Sequence, residues 1–342
     1  MLVYKRLAEP TETSEGYLSE TARQDVFDSM VRRVQNARGI VLTTHATPDA
    51  DGLGTALAVR DLLESLGRPC RLLSEEPIDH LKVLPGTDRI LQRIPEGFDY
   101  DTVMTFDCGV RALIPAFEGL DFARAFVINI DHHYKNSKFG QCNYIVAGGS
   151  SAEITYPLWQ ALGIPLSKHA ATNLFAGAYC DSASFDRPQT AETWCFAGAL
   201  VEAGADQETA MRAYNAYSLR DFAMWRDIVI KDNMEFWFDG RVVVAVVDGD
   251  RFEQESIHVP DFVSRMEKAL LSFTLIAKSD GHIKISIRSS DKRYSAPRIA
   301  WMLGHGGGRE GVAATVVRGR VDEWKQKIYF LCLYKGLGNI KA

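Results

Sequence analysis

The sequence of 342 residues has no long hydrophobic run, since its longest strongly apolar stretch, Val242–Val247, is far too short to cross a bilayer. The segment Met1–Pro10 lacks the apolar core of a signal peptide. The six cysteines form no Cys-x-x-Cys pair and are too sparse for a disulfide scaffold. No internal repeat is visible. These absences predict a cytoplasmic protein with reduced thiols that does not bind a membrane.

The composition is that of a globular protein. Hydrophobic residues make up 46% and charged residues 24% of the chain, which excludes disordered, collagen-like and coiled-coil proteins. The length predicts two domains of ordinary size. The net charge of −5 argues against a protein that wraps long nucleic acid, including long double-stranded DNA.

The charge is unevenly distributed along the chain. Residues 281–342 hold 12 Lys and Arg against 4 Asp and Glu, a net charge of +8, so residues 1–280 carry −13. Such a basic segment indicates either a binding surface for an anion or a solvated basic face, and the charge count alone does not separate the two.

Short apolar segments alternate with helical patterns through the first two thirds of the chain. Four segments bounded by turns or charges are predicted strands: Ile40–Thr44, Pro69–Ser74, Thr102–Phe106 and Phe126–Ile130. Strands separated by helices predict an α/β fold, a mostly parallel sheet covered by helices on both faces. The helices are expected near Leu53–Leu66, Ser151–Leu162, Ser167–Tyr179, Thr190–Ala203 and Gln207–Ala216, after a first one that begins at about Ser19.

After about residue 220 the pattern changes to that of a smaller α+β domain. Two hairpins are expected to turn at Asp239-Gly240 and Asp280-Gly281. They precede a helix near Ala296–Leu303 and strands near Val312–Val317 and Lys327–Tyr334. We therefore divide the chain into an N-terminal arm (1–21), a first domain (22–216), a linker helix (217–235) and a second domain (236–342), with an active-site cleft expected between the domains.

Acidic residues and histidines follow the predicted strands directly. The candidates are His45, Asp49 and Asp51 after the first strand, Asp107 after the third, Asp131, His132 and His133 after the fourth, and Asp181 at the end of a helix. In open parallel sheets, ligands bind beyond the carboxyl ends of the strands, so we expect these side chains at one edge. Taken singly, each of them is more typical of a turn, a helix cap or a packed side chain.

The residue types at this edge point to metal ions. Carboxylates and imidazoles without thiolates suit Mn²⁺, or alternatively Mg²⁺, Co²⁺ or Fe²⁺, better than a structural zinc. The candidates are too numerous for one ion, and without metal so many carboxylates would repel one another. The pattern therefore predicts two divalent cations that share a carboxylate.

These residues, in this order, are similar to the motifs of the DHH phosphoesterase superfamily. The matching segments are His45-x-x-Pro-Asp49-x-Asp51-Gly52, Asp107, Asp131-His132-His133 and Asp181. The second domain resembles the associated DHHA1 domain through Ser286-Ile-Arg288-Ser289 and Gly306-Gly307-Gly308. The resemblance covers about residues 22–335 and is greatest to the nanoRNase/3′-phosphoadenosine-5′-phosphate phosphatase subfamily. That subfamily cleaves very short oligonucleotides and removes phosphate from the bisphosphate nucleotide.

The resemblance implies two ligand sets. The first metal ion would be held by His45, Asp49 and Asp107, and the second by Asp51, Asp107, His132 and Asp181. Asp107 would thus bridge the ions, and the reaction would be two-metal hydrolysis without a covalent nucleophile. His133 would face the scissile phosphate, and Asp131 would orient a ligand histidine.

The resemblance further implies that the basic second domain binds substrate phosphate. The expected contacts are Arg288, Ser289, the backbone of Gly306, Gly307 and Gly308, and their neighbours His305 and Arg309. The family usually has histidine after the three glycines, where this chain has Arg309, so the substrate identity stays open. Arg111 is a further candidate, although it could equally cap a helix. Of two aromatic residues that could stack a base, Tyr294 stays undecided, and we expect Trp301 in the core.

The function expected from these residues is hydrolysis of short oligonucleotides or small phosphonucleotides by a metal-dependent phosphoesterase. The alternatives are a cyclic-dinucleotide or polyphosphate phosphohydrolase and a catalytically inactive nucleotide-binding regulator. The complete ligand set disfavours the regulator. A processive exonuclease on long strands and an inorganic pyrophosphatase rank lower, since the chain has no extra nucleic-acid domain and no Lys-rich second domain. The expected partner is the substrate, and a homodimer stays open.

Overall fold

In a computed structural model of the protein, the described residues are 17–337 except 78, 134, 187–188, 217–218 and 253–254. The chain divides into two compact units between Ala216 and Tyr217. The expected N-terminal arm falls mostly on residues 1–16, outside the described residues. Among the described helices, none combines the length and the apolar character needed to cross a membrane.

The first unit contains a five-stranded parallel sheet with the strand order β2-β1-β3-β4-β5. Its strands are β1 (Ile40–Thr44), β2 (Cys70–Leu73), β3 (Thr102–Phe106), β4 (Phe126–Asp131) and β5 (Cys142–Ile145). The predicted mostly parallel sheet is confirmed. Sequence analysis did not predict β5, because this strand is short and Asn143 interrupts its apolar pattern.

Helices cover one face of this sheet. They are α1 (Glu20–Asn36), α2 (Ala50–Ser65), α3 (Ser151–Thr155), α4 (Pro157–Leu162), α5 (Lys168–Asp181), α6 (Ala191–Glu202) and α7 (Gln207–Asn215). The other face, for which we also expected helices, is covered by irregular segments and 3-10 turns that bring Phe98, Phe117 and Phe122 onto Val41 and Val103.

One predicted helix is divided in two. We expected a single helix over 151–162. In the structure, α3 ends at Thr155 and α4 begins at Pro157. Proline has no backbone N–H to continue the helical ladder and is favoured in a first turn, so the chain bends there. The bend fixes α3 as a separate short helix whose N-terminus lies at the edge of the sheet where β1, β3 and β4 end.

The second unit is built on a six-stranded mixed sheet with the order β10-β11-β9-β8-β7-β6. Its strands are β6 (Met234–Trp237), β7 (Val242–Asp248), β8 (Leu271–Ala277), β9 (His282–Ser289), β10 (Gly307–Arg309) and β11 (Val312–Arg318). Only β7 and β8 pair in parallel. The helices are α8 (Leu219–Ile230), α9 (Gly249–Phe252), α10 (Val259–Ser264), α11 (Ala296–Gly304) and α12 (Val321–Tyr334).

Both predicted hairpins are found, as β6–β7 and β8–β9, and both pair antiparallel. The prediction of a strand at 327–334 is wrong, because this segment belongs to helix α12. Trp324, Ile328 and Cys332 recur every four residues and are buried on one helical face. The prediction of a core position for Trp301 is also wrong, since 61% of this residue is exposed, whereas Tyr294 is buried in the core.

Candidate metal centre

The predicted ligands of the first unit meet at the carboxyl edge of its sheet. Thr44, Phe106 and Ile130 occupy matching register positions at the ends of β1, β3 and β4. The residues that follow them therefore emerge side by side. Asp107 is held there by its N–H, which donates to the Ile130 carbonyl at 3.0 Å, and its backbone is left-handed with φ 54°.

The six predicted ligands fall into two neighbouring groups of ligand atoms. In the first, His45 Nε2 lies 3.5 Å from Asp107 Oδ2 and 3.8 Å from Asp49 Oδ1. In the second, His132 Nε2 lies 3.0 Å from Asp181 Oδ2 and 3.9 Å from Asp51 Oδ2. The two groups are joined through Asp107, whose Oδ1 lies 3.4 Å from His132 Nε2.

Each group has the size of a metal-binding site. The candidate ligand atoms of His45, Asp49 and Asp107 lie within 4.8 Å of one another, as do those of Asp51, His132 and Asp181. These groups comprise all six residues predicted as ligands. The structure thus brings together residues that are as far apart as 45 and 181 in sequence.

Both histidines present the correct nitrogen for a metal ion. The Nδ1 of His45 pairs with the Ala46 carbonyl at 2.7 Å, and the Nδ1 of His132 pairs with the Gly148 carbonyl at 3.3 Å. A carbonyl can only accept, so in each ring Nδ1 carries a proton, and Nε2 is the nitrogen that a cation would bind after displacing any proton there. His132 Nε2 is buried and makes no aligned hydrogen bond although three carboxylates surround it. An orphaned imidazole nitrogen among carboxylates fits a divalent cation.

Asp131 contacts a different histidine from the one that sequence analysis suggested. Its Oδ1 lies 2.8 Å from His133 Nδ1, and its Oδ2 accepts from Asn136 Nδ2 at 2.6 Å. Among the described contacts it has none with the ligand His132. Asp131 is fully buried, whereas the His133 side chain is 56% exposed. The carboxylate therefore orients the exposed histidine, and Asn136 completes the arrangement.

Sequence analysis missed how Asp51 is held. Its two carboxylate oxygens accept from the N–H groups of Ser151 at 2.7 Å and Ala152 at 3.0 Å, in the first turn of α3. The Ser151 hydroxyl also donates to Asp107 Oδ1 at 3.3 Å. Ser150 caps this helix, because its hydroxyl accepts from the Glu153 N–H. The sequence does indicate this cap. That the same helix start also holds a carboxylate depends on a contact between segments about 100 residues apart.

The charges in the centre are strongly coupled. Burial would lower the pKa of His45, but the neighbouring Asp107 and Asp49 raise it to about 12. Burial would likewise lower the pKa of His132, but Asp181 and Asp107 hold it well above its ordinary value. Burial raises the pKa of Asp51, and Asp181 and Asp107 raise it further. Without a cation, protons therefore compensate part of the negative charge.

We expect metal binding to release protons. Because the pKa values of His45, His132 and Asp51 are raised, the metal-free centre binds protons at neutral pH that a cation must displace. The apparent affinity for Mn²⁺ should therefore increase as the pH rises from 6 to 8. Titration calorimetry in buffers of different ionisation enthalpy measures the number of protons released. An affinity that stays constant over this range would contradict the assignment.

The two cysteines beside the ligands are not part of the centre. Burial raises the pKa of Cys108 to about 11 and raises that of Cys180 well above its ordinary value. Both thiols are therefore protonated at neutral pH and behave as small packed side chains. All six cysteines of the chain are free.

The loop that carries His45 and Asp49 is fixed from two sides. The Ala46 N–H donates to the Leu113 carbonyl at 2.7 Å, and the Thr47 N–H donates to the Glu75 carboxylate at 3.0 Å. Thr47 has φ 54°, a left-handed conformation that a β-branched residue rarely adopts. Glu75 thus stabilises a strained residue between two candidate ligands.

Substitution of Glu75 by alanine should weaken Mn²⁺ binding by roughly tenfold, the usual scale for a residue that supports a ligand. Glu75→Gln should retain most of the affinity, because the amide oxygen can still accept from Thr47. Adding Thr47→Gly to Glu75→Ala should recover part of the loss, since glycine adopts positive φ without steric cost. Mn²⁺ titrations measure the affinities. The neighbouring exposed Glu76→Ala is the control, and equal losses in both alanine variants would refute the effect.

The predicted phosphate contacts of the second unit lie at the ends of β9 and β10. Arg288, on β9, pairs across the ladder with Val312. Its Nε donates to Asp261 Oδ1 at 2.7 Å, so one edge of the guanidinium is already engaged. The neighbouring Ser289 donates through its hydroxyl to the Asp291 carbonyl at 2.9 Å. These partners leave less of both side chains for a phosphate than the sequence suggested.

The glycine run forms the end of a helix and an edge strand, not an open loop. His305 ends α11 in a left-handed conformation and places its ring against Trp301. Gly307 and Gly308 pair with Ala314 and Ala313. A Cβ at Gly306 would lie 2.2 Å from the Ala314 carbonyl oxygen, and one at Gly308 would lie 2.1 Å from that of Val312. Close strand packing therefore requires glycine here, whatever the run binds.

The remaining predicted contacts are Arg111 and Arg309. Arg111 lies in the first unit with its guanidinium 3.6 Å from the centroid of the Phe122 ring, and its Nη1 donates to the Ile114 carbonyl at 3.3 Å. It packs on an aromatic ring and caps a turn, which agrees with the capping role that sequence analysis gave as the alternative to phosphate binding. Arg309 is on β10, and its side chain lies outside the described part of the structure.

Comparison with known proteins shows similar sequences. Residues 39–178 match the family model of the DHH family, N-terminal domain. The chain is 26% identical over 295 residues to the bifunctional oligoribonuclease and PAP phosphatase NrnA of Thermus thermophilus, a match that covers 84% of this chain and 87% of that protein. It is 22% identical over 315 residues to the cyclic-di-AMP phosphodiesterase GdpP of Geobacillus thermodenitrificans, covering 84% of this chain and 46% of that protein.

The fold is also found in a solved structure. An exopolyphosphatase-related protein from Bacteroides fragilis superposes with a TM-score of 0.77 at 21% sequence identity. The superposition covers 93% of this chain and 98% of that chain. At this level of identity the likeness establishes a shared fold that extends through both units.

Proposed function

We propose that the protein is a two-metal-dependent phosphohydrolase, because residues 39–178 match the model of the DHH family, N-terminal domain. Its substrates would be short oligonucleotides or small phosphonucleotides, whose phosphoester bonds it cleaves. The similarity to a bifunctional oligoribonuclease and PAP phosphatase over 84% of the chain supports this choice of substrate class. We favour Mn²⁺ as the metal, because the candidate ligands are carboxylates and imidazoles without a thiolate.

The observation that carries the proposal is the position of Asp107 between two ligand groups. One of its oxygens lies 3.5 Å from His45 Nε2 and the other 3.4 Å from His132 Nε2. A carboxylate that faces both groups is what a pair of neighbouring cations requires. Asp49 would complete the first group, and Asp51 and Asp181 the second.

When bound, two divalent cations supply stabilisation of charge on the phosphoryl oxygens and a lowered pKa for the attacking water. The chain itself holds the carboxylates in place: helix α3 fixes Asp51, and the Ile130 carbonyl fixes Asp107. We assign to His133 a hydrogen bond to the scissile phosphate or to the leaving oxygen. Asp131 accepts from Nδ1 of this ring and leaves Nε2 for that contact.

In the second unit we propose that Arg309, Arg288, Ser289, His305 and the glycine run bind substrate phosphate. Arg309→Ala should raise the KM roughly tenfold and change kcat little, because a fixed cation is lost away from the reacting bond. Steady-state kinetics on a dinucleotide measures both constants. Arg293→Ala is the matched control, since Arg293 is exposed and bound to Asp291. If Arg309→Ala left the KM unchanged for every phosphate substrate, this account of the second unit would be wrong.

Two alternative substrates deserve a direct comparison. GdpP, to which the chain is 22% identical, is a cyclic-di-AMP phosphodiesterase, and the structural relative is related to exopolyphosphatases. The complete set of ligand groups disfavours a third alternative, an inactive nucleotide-binding regulator.

A substrate panel with Mn²⁺ separates these alternatives. It should contain a dinucleotide, 3′-phosphoadenosine-5′-phosphate, a cyclic dinucleotide and polyphosphate, with product release followed by chromatography. We expect the dinucleotide and the bisphosphate nucleotide to give the highest kcat/KM. Preference for the cyclic dinucleotide or polyphosphate would replace the proposed substrate class, and no release from any of the four would refute the function.

A further inference from the structure

An exposed indole packs on a partly buried phenylalanine in the first unit. Trp194, on α6, is 52% exposed, although tryptophan is usually buried for most of its surface. Its ring packs against Phe185, with the ring centroids 5.0 Å apart and an interplanar angle of 31°. Phe185 in turn contacts Tyr179 and Phe175 at 5.7 and 5.9 Å. The indole is therefore supported by a packed aromatic cluster on one side and open to solvent elsewhere.

The turn that carries Phe185 begins at a candidate ligand. Asp181 ends α5, and Ala183, Ser184 and Phe185 follow with φ values of 52°, 64° and 57°. Three consecutive left-handed residues other than glycine are costly, and such strain tends to occur at functional sites. The turn is held by the Ser184 N–H, which donates to the Tyr179 carbonyl at 2.8 Å. It fixes Phe185, which follows Asp181 by four residues.

A chain of contacts links the residue before Trp194 to His132. The hydroxyl of Thr193, the preceding residue, donates to Glu153 at 2.9 Å. The same carboxylate oxygen accepts from the Gly149 N–H at 3.1 Å. The adjoining Gly148 carbonyl accepts from His132 Nδ1. Two independent connections thus tie the segments that carry Phe185 and Trp194 to candidate metal ligands.

We infer that Trp194 is a stacking platform for a nucleobase of the bound substrate, an inference that rests on the proposed function. The flat face of an indole binds any base by stacking, with little dependence on its identity. A base next to the scissile phosphate would come within reach of a platform at the rim. Trp194 would thereby select nucleotides over phosphate esters that lack an aromatic base. It would position the substrate without contacting the reacting atoms.

Kinetics on matched substrates tests this role. Trp194→Ala should raise the KM for a dinucleotide about 10- to 100-fold, the range for one lost stacking contact, and change kcat much less. If the dinucleotide lacks the base that stacks on Trp194, Trp194→Ala should leave the KM unchanged. Trp194→Phe should restore most of the affinity. Val201→Ala is the control, because Val201 is exposed on the same helix two turns further along.

A binding measurement separates failure of this inference from failure of the proposed function. Adenosine monophosphate should quench the tryptophan fluorescence of the wild-type protein, and Trp194→Phe should remove the quenching of that residue. If the wild type cleaves no nucleotide, the proposed function fails. If it cleaves dinucleotides but Trp194→Ala leaves the KM and the quenching unchanged, the platform is refuted and the proposed function stands.

Discussion

Replacement of Asp107 should lower kcat by at least about a thousandfold. The carboxylate is buried, faces both histidines and joins the two ligand groups, so its loss removes a ligand from each. The loss of one or both cations would forfeit several kcal/mol of charge stabilisation in the transition state. About 4 kcal/mol corresponds to this thousandfold reduction. Steady-state hydrolysis of a dinucleotide with saturating Mn²⁺ measures it.

The choice of substitution matters at this position. Asp107 has a left-handed backbone, which asparagine tolerates far better than alanine. Asp107→Asn therefore removes the charge while preserving the conformation, and Asp107→Ala tests the larger change. Asp99→Ala, at an exposed carboxylate of the same unit, is the control for general charge effects. If Asp107→Asn kept more than a tenth of the wild-type kcat, the shared-carboxylate arrangement would be wrong.

Removal of metal should abolish hydrolysis completely, and addition of Mn²⁺ should restore it. The cation would bind the folded centre and not the unfolded chain, so it should also stabilise the fold by about 2.7 kcal/mol at a hundred times its Kd. For a unit of this size, that stabilisation corresponds to an increase in Tm on the order of 5 to 10 °C. Calorimetric melting with chelator and with Mn²⁺ measures the shift.

The variants connect this result to the site. Asp107→Asn should melt at the same temperature with and without Mn²⁺, because its ligand groups are incomplete. Asp99→Ala should keep the full shift. An equal Mn²⁺-dependent shift in the wild type and Asp107→Asn would show that the stabilising ion binds elsewhere in the chain.

The sequence predicts the sheet of the first unit well because each of the strands β1 to β4 is an apolar segment next to a turn. A fully buried parallel strand must be apolar on both faces, and such segments stand out in any chain. The same reasoning fails for β5, because this strand has only four residues and one of them is polar. It also fails at α12, where an apolar run with helical spacing was interpreted as a strand. Local pattern alone cannot distinguish the two when the run is short.

The identity of the candidate ligands follows from the sequence alone, because their order along the chain and their position after strands match a family motif. The way in which they are held does not follow from it. That Asp51 accepts from the start of α3, that Asp131 orients His133 and not His132, and that Glu75 supports the loop after β1 all depend on contacts between distant segments. Hydrogen bonds of this kind have no sequence period, so no pattern predicts them.

The sequence by itself thus determined the fold class of the first unit and the set of residues that could bind metal, since burial and strand ends leave a local signature. Only the tertiary structure decided which oxygen faces which nitrogen, which arginines are already engaged and which aromatic residue is exposed. Trp301 and Trp194 illustrate the difference. An indole has the same apolar character in a core and at the rim of a site, and only the packing around it determines which surface it presents.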